Sequence, residues 1–125
     1  MPNTDISLTL KASSDPIRLQ VLQLLKRDSL AANELALVLD IKQSALSHHL
    51  KIMSQADWVS TRREGNTLFY RRHMSGDLAI AKIQRSILQA LDVNELEAGA
   101  QTILNAIRGA MVMLGLDRAE RVVIN

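Results

Sequence analysis

The most constraining feature of this sequence is a change of period near Ala56. Up to that point the apolar residues recur at helical spacing. Beyond it Trp58 to Arg63 and Thr67 to Arg72 read as two strands, with Glu64-Gly65-Asn66 as the turn between them. Gly65 and Asn66 are residue types that accept positive φ, as a tight hairpin requires. A chain that is helical before and after a single short hairpin with a basic stem has few architectures open to it.

The helices follow from local signals. Ile6, Leu8, Leu10 and Ala12 favour a short helix over residues 5 to 13. Ser14-Asp15-Pro16 is a helix start, in which Asp15 caps and Pro16 takes the first position, where no N–H is needed. That helix runs through Ile17, Leu19, Val21, Leu22, Leu24 and Leu25 to about Arg27, with Lys26 and Arg27 at its negative end. Asn33 to Leu39 form a short helix, and Asp40-Ile41-Lys42 turn the chain, with Asp40 suited to left-handed backbone. A second helix, residues 42 to 56, follows. Two short helices joined by so tight a turn are a helix-turn-helix. After the hairpin, residues 76 to 92 are helical through Leu78, Ile80, Ala81, Ile83, Ile87, Leu88 and Leu91. Asn94, with Glu97 three residues on, predicts a capping box into a last helix through Leu96, Ala100, Ile103, Leu104, Ile107, Met111 and Leu114. The fold class expected is mainly α with a small β-hairpin, in the order α-α-α-α-β-β-α plus an extra C-terminal helix.

Helix 42 to 56 has two unlike faces. Ala45, Leu46, Leu50 and Met53 make an apolar stripe, while Gln43, Ser44, Ser47, His48, His49 and Lys51 project short donors and acceptors the other way. Such side chains reach and read base edges in a groove, and one Lys supplies a phosphate contact. Charge points to the same segment. Residues 42 to 73 carry six basic groups against Asp57 and Glu64, net +4, whereas the flanking segments are each net −1. The hairpin arginines and Asn66 at its tip are placed to reach a nucleic-acid backbone or minor groove beside that helix.

Composition removes other classes. There is no Cys, so disulfides, thiol redox sensing and thiolate metal sites are excluded. Only Trp58, Phe69 and Tyr70 are aromatic, so the core is aliphatic. No charge-free apolar run approaches the roughly 20 residues that span a bilayer, and MPNTDISLTL has neither a basic n-region nor a long h-region. A cytoplasmic protein with no membrane partner is expected. No Ser elbow, glycine-rich phosphate loop or evident carboxylate pair argues for an enzyme.

Three segments carry a family resemblance: SSDPIRLQVLQLL, NELALVLDIKQSALSHHLKIMSQADWV and TRREGNTLFYRR. Through them residues 10 to 91 resemble the ArsR/SmtB family of winged helix-turn-helix repressors. The resemblance implies a homodimer whose reading helices enter successive major grooves of double-stranded DNA at an imperfect inverted repeat. It implies base or phosphate contacts by Gln43, Ser44, Ser47, His48 and His49, and backbone or minor-groove contacts by Lys51, Arg62, Arg63, Asn66 and Arg71. Leu46, Leu50, Ile52 and Trp58 match packing positions. Residues 1–92 then form the DNA-binding domain with a first dimer helix, and 93–125 a helical extension that serves dimerisation.

The departures are as informative. Where many members have the ELCVCDL-type cysteines, this chain has Ala31 and Asn33. Residues 76 to 92 contain no His, and Asp77 alone is not a metal site. His48 and His49, about 100° apart on a helix, cannot chelate one ion. No metal and no cofactor are expected, and the effector is absent, a small organic molecule, or a partner protein. Lys42 stands where a Ser cap is usual. A second reading, a winged helix used only as a protein-interaction module, predicts no salt-dependent DNA affinity.

Overall fold

The computed structural model describes residues 2–93 and 96–113, with side chains over 6–93, 103–110 and 113. Its elements are α1 (Pro2–Ala12), α2 (Pro16–Leu24), β1 (Leu30–Ala31), α3 (Ala32–Leu39), α4 (Gln43–Gln55), β2 (Val59–Glu64), β3 (Thr67–Arg72), α5 (Leu78–Asp92) and α6 (Leu96–Met113). Asp15 caps α2 as expected, its Oδ1 accepting the N–H groups of Ile17 at 2.8 Å and Arg18 at 3.2 Å. The helix ends at Leu24, short of Arg27. The chain must turn there, because Leu30 and Ala31 pair with Tyr70 and Phe69.

That pairing adds a strand to the expected order. The sheet has three antiparallel strands, in the order β1-β3-β2, rather than a lone hairpin. A strand of two residues is too short to show a period, so only the partner strand reveals it. The hairpin pairs Val59 with Arg72 through Glu64 with Thr67, so Glu64 belongs to the first strand and the turn is Gly65-Asn66 alone, one residue shorter than the expected Glu64-Gly65-Asn66. Of the two turn residues only Gly65 has positive φ, at 62°. That is the type II′ pattern, with Gly first.

Two aspartates close the two reader helices. Asp40 (φ 54°) follows α3 and Asp57 (φ 61°) follows α4. In each case the next residue bonds back six-to-one, Ile41 N–H to Ala36 O at 3.2 Å and Trp58 N–H to Met53 O at 2.9 Å. These are Schellman ends, usually made with Gly. Asp57 is exposed and its carboxylate has no partner among the described residues. Asp57→Gly is therefore expected to stabilise the fold by about 0.5–1 kcal/mol, and Asp57→Val to destabilise it by about 1–2 kcal/mol. The midpoint of urea unfolding checks both.

The core decides α4. Its three Ser and two His make it a poor intrinsic helix, at a cost on the order of 2–3 kcal/mol relative to Ala. Leu46, Leu50 and Met53 are each at most 1 % exposed, and their burial contributes about 5–6 kcal/mol. Packing wins, so the polar residues can face outward without loss of the helix. Trp58 is also buried, its Nε1–H donating to the Thr9 carbonyl at 2.9 Å and tying α1 to the reader's exit.

Beyond the wing the expectation is corrected in part. Leu104 of α6 is fully buried and belongs to the same core, and α6 packs on α2 and α3. Arg108 adds an ion pair to Asp28 at 2.8 Å. So one side of α6 covers its own chain rather than waiting for a partner. Leu78, Ile103 and Met113 remain exposed. The capping box at Asn94 and Glu97, and the segment after Met113, lie outside the described residues. No described helix is long and apolar enough to cross a membrane. With α1, α2 and α5 packed behind α3–turn–α4 and the hairpin, the architecture is a winged helix-turn-helix.

Candidate nucleic-acid interface

On α4 the residues Gln43, Ser44, Ser47, His48 and Lys51 are all exposed. Their spacing of four places them along one face of about two turns. Gln43, Ser44, Ser47 and Lys51 make no hydrogen bond or ion pair among the described residues, and His48 only meets the His49 ring at 6.1 Å. The helix start carries no side-chain cap, because Lys42 is the N-cap residue and offers no acceptor. A row of unpartnered short polar groups is thus joined to a set of N–H groups with no internal acceptor.

His49 does not belong to this face. Its side chain is 16 % exposed and its Nδ1 lies 3.0 Å from Arg18 Nη1 and 4.0 Å from Asp15 Oδ1. Arginine can only donate, so Nδ1 accepts and the ring proton of the bonded state sits on Nε2. Arg18 also donates from Nε to the Ala12 carbonyl at 2.7 Å and from Nη2 to that of Lys11 at 3.1 Å. His49 therefore ties α4 to the α1–α2 corner through its Nδ1. Sequence reasoning missed Arg18, although its place three residues after the Asp15 cap puts it in that corner. Burial pushes the Asp15 carboxyl up, but the N–H donors of Arg18 and Ile17 more than offset this, with positive charge nearby, and hold it below the usual carboxylate range.

The hairpin sorts its basic residues by face. Arg62 stands opposite Phe69, its guanidinium carbon 5.3 Å from the ring centroid, and its Nη2 is 3.1 Å from Glu64 Oε2. Arg62 is thereby partly neutralised by its own strand. Arg63, on the opposite face, is exposed and has no partner among the described residues. Asn66 is exposed at the tip. Arg71 shares the face of Arg62 and makes one long bond, 3.3 Å to Ser60 Oγ. Arg72 is structural: its Nε donates to the Leu22 carbonyl at 2.7 Å, and its Nη1 and Nη2 bind Asp92 at 3.1 and 2.8 Å. No group of three or more His, Asp or Glu among the described residues is arranged to hold a metal.

Residues 15–61 match the family model described as bacterial regulatory protein, arsR family. The chain is 40% identical over 60 residues to the transcriptional repressor SdpR of Bacillus subtilis, covering 48% of this chain and 67% of that protein. It is 43% identical over 61 residues to the transcriptional activator HlyU of Vibrio cholerae, covering 49% and 56%. The solved structure of HlyU from Vibrio cholerae superposes with a TM-score of 0.58 at 29% identity, over 71% of this chain and 94% of that one. The family match runs from the cap of α2 through both reader helices to the start of the first wing strand, and with the relatives at this identity the protein belongs to the arsR family of bacterial regulatory proteins.

Proposed function

We propose that the protein is a homodimeric, sequence-specific DNA-binding repressor that acts in the cytoplasm. The exposed face of α4 lies in the major groove and the β2–β3 hairpin is the wing. The observation that carries this reading is the row Gln43, Ser44, Ser47, His48 and Lys51, polar, exposed and without a hydrogen bond or ion pair among the described residues. The uncapped N–H groups at the start of α4 complement a backbone phosphate. Arg63 and Asn66 contact backbone or minor groove, with Arg71 and the half-neutralised Arg62 behind them.

Residues 1–92 form the DNA-binding domain and 93–125 a helical extension. The apolar groups left exposed on α1, α5 and α6, among them Leu8, Leu78, Ile103 and Met113, support a dimer matched to an inverted repeat. Repression is the sign carried by the relative SdpR, and the activator HlyU makes the sign worth measuring. With no Cys, and Ala31 and Asn33 in the cysteine places, the effector is not a thiolate-bound metal.

Fluorescence anisotropy tests the reading, on a duplex from upstream of the protein's own gene and on a scrambled one, at two salt concentrations. Tighter binding to the native duplex, weakening with salt, is expected. Ser47→Ala and His48→Ala should each cost roughly 1–3 kcal/mol on the native duplex and little on the scrambled one, whereas Arg63→Ala weakens both alike and flattens the salt dependence. His49→Ala, acting through the placement of α4, should also weaken both alike. Equal or negligible binding to both duplexes would sink the proposal and favour a protein-interaction module.

A further inference from the structure

A cleft of about 240 Å³ opens between the end of α2 and the base of β3, lined by Leu25, Lys26, Arg27, Asp28, Ser29, Arg71 and Arg72. Its charge is out of proportion to the rest of the molecule. Lys26, Arg27, Arg71 and Arg72 line it, and Arg108 stands behind Asp28. The carboxylates there among the described residues are Asp28, which lines the cleft, and Asp92, which pairs with Arg72. Both are already engaged, Asp28 by Arg108 at 2.8 Å and Asp92 by both terminal nitrogens of Arg72. Lys26 adds to the positive field that lowers the Asp92 carboxyl.

This leaves Arg27 and Arg71 exposed, with no carboxylate partner among the described residues. The half-buried Ser29, which lines the same cleft, likewise makes no side-chain hydrogen bond among the described residues. Arg108 repeats the deficit: its Nε and Nη2 are buried and have no acceptor among the described residues. Among the described residues, four cations thus line the cleft with one carboxylate, Asp28, and the Arg108–Asp28 and Arg72–Asp92 pairs adjoin it, in a chain whose whole net charge is +2. Like charges brought together at a partly enclosed surface oppose folding unless an anion joins them.

We propose that this cleft is an effector site for a small dianion of the phosphate-monoester or dicarboxylate class, gripped by Arg27 and Arg71 with Ser29 donating. Guanidinium groups match such anions by paired N–H donors, and the volume suits a metabolite smaller than a drug-sized ligand. The cleft is also wired to the rest of the fold. Arg71 belongs to the wing strand, Arg72 beside it anchors that strand to α2 and α5, and Asp28 joins the opposite wall to α6. A bound dianion neutralises charge at the wing and so weakens operator binding. That regulatory consequence rests on the DNA-binding reading above; the binding site does not.

The test uses the DNA-free full chain. Calorimetry and thermal unfolding are followed while inorganic phosphate, or succinate, replaces chloride at constant ionic strength. Saturable binding to one site is expected, weakened about tenfold or more in the Arg27→Gln, Arg71→Gln double variant. The Lys82→Gln, Arg85→Gln pair on α5, which lines none of the cleft, should bind like the parent. A response that does not saturate, or that survives intact in the double variant, overturns the proposal.

A second arm repeats the anisotropy titration with saturating probe. Operator affinity should fall about fivefold or more relative to chloride at equal ionic strength. If free anions do not bind, yet the double variant weakens all duplexes and flattens their salt dependence, the two arginines serve DNA phosphates and there is no effector site. If the anion binds and no duplex does, the cleft stands and the repressor reading fails.

Discussion

Replacing Gln84 by leucine is expected to lower the free energy of unfolding by about 2–4 kcal/mol, although leucine is the more apolar residue and the site is fully buried. The amide of Gln84 joins two segments that no other side-chain bond connects among the described residues. Its Nε2 donates to the Asp57 carbonyl at 2.8 Å, at the point where the chain leaves α4 for the wing. Its Oε1 accepts the Ser75 N–H at 2.8 Å, where the chain leaves the wing for α5. Leucine fills the space but leaves a half-buried carbonyl and N–H without the partner each has in the fold, at about 1–2 kcal/mol apiece. Gln84→Glu keeps the acceptor for Ser75 but sets a carboxylate against the Asp57 carbonyl at a fully buried site, so at neutral pH it should cost at least as much as leucine. Urea unfolding measures the series. A Gln84→Leu protein within about 0.5 kcal/mol of the parent would show that water replaces both bonds at no cost. Because the amide fixes the exit of α4 against α5, the variant should also bind all duplexes less well.

The second large effect is expected at the base of the wing. Arg72→Met should cost about 2–3 kcal/mol, since it strands Asp92 and the Leu22 carbonyl in a site where the pair is only 17 % and 23 % exposed. Arg72→Lys should recover little of this, because an ammonium group cannot reproduce the two-pronged bond to Asp92 while also reaching Leu22. The pair also fixes a pH dependence. The side-chain bonds from Arg72 hold the Asp92 carboxyl below its ordinary value against an opposing effect of burial, with the charges of Arg72 and Lys26 adding to the lowering. A carboxyl lowered in the folded state contributes stability that is present above its unfolded pKa and is lost as the pH falls through the folded one. The gap between the parent and Asp92→Asn should therefore be full at neutral pH and close as the pH drops below about 4. Asp15, lowered by its helix-capping bonds, titrates in the same direction, so acid unfolding monitored by circular dichroism should show both. A gap that persisted unchanged at pH 3 would mean that Asp92 contributes by shape and not by charge.

The two predictions share a feature with the site itself. Gln84, Arg72 and His49 are polar residues whose side chains are spent inside the molecule, on bonds that set where α4 and the wing lie. Gln43, Ser44, Ser47, His48, Lys51 and Arg63 are polar residues that make no hydrogen bond or ion pair among the described residues. Function is read from the second group, but the first holds it in place. Substitutions in the first group should move affinity on every duplex alike, and those on the face of α4 should move preference between duplexes.

What the sequence determined by itself was everything that local chemistry decides. The Asp15 cap with Pro16 after it, the left-handed Asp40, the period change after Ala56, the Gly65 turn and the apolar stripe of α4 each depend on residues within one or two turns of one another, and each stands in the fold where its pattern put it, save that Ala45 of the stripe is exposed. Gln84 was half legible, since it lies four residues from both Ile80 and Leu88 and so on the buried stripe of α5. Only the tertiary structure decided the rest. β1 exists because β3 lies beside Leu30 and Ala31, thirty-eight or more residues away. His49 turns inward because Arg18 waits for it, Arg72 is withdrawn from the wing surface by Asp92, and α6 covers its own core through Leu104. None of these has a local signature. A side chain exposed by its helical or strand phase can still be claimed by a partner far along the chain, and only the packed fold shows which ones are.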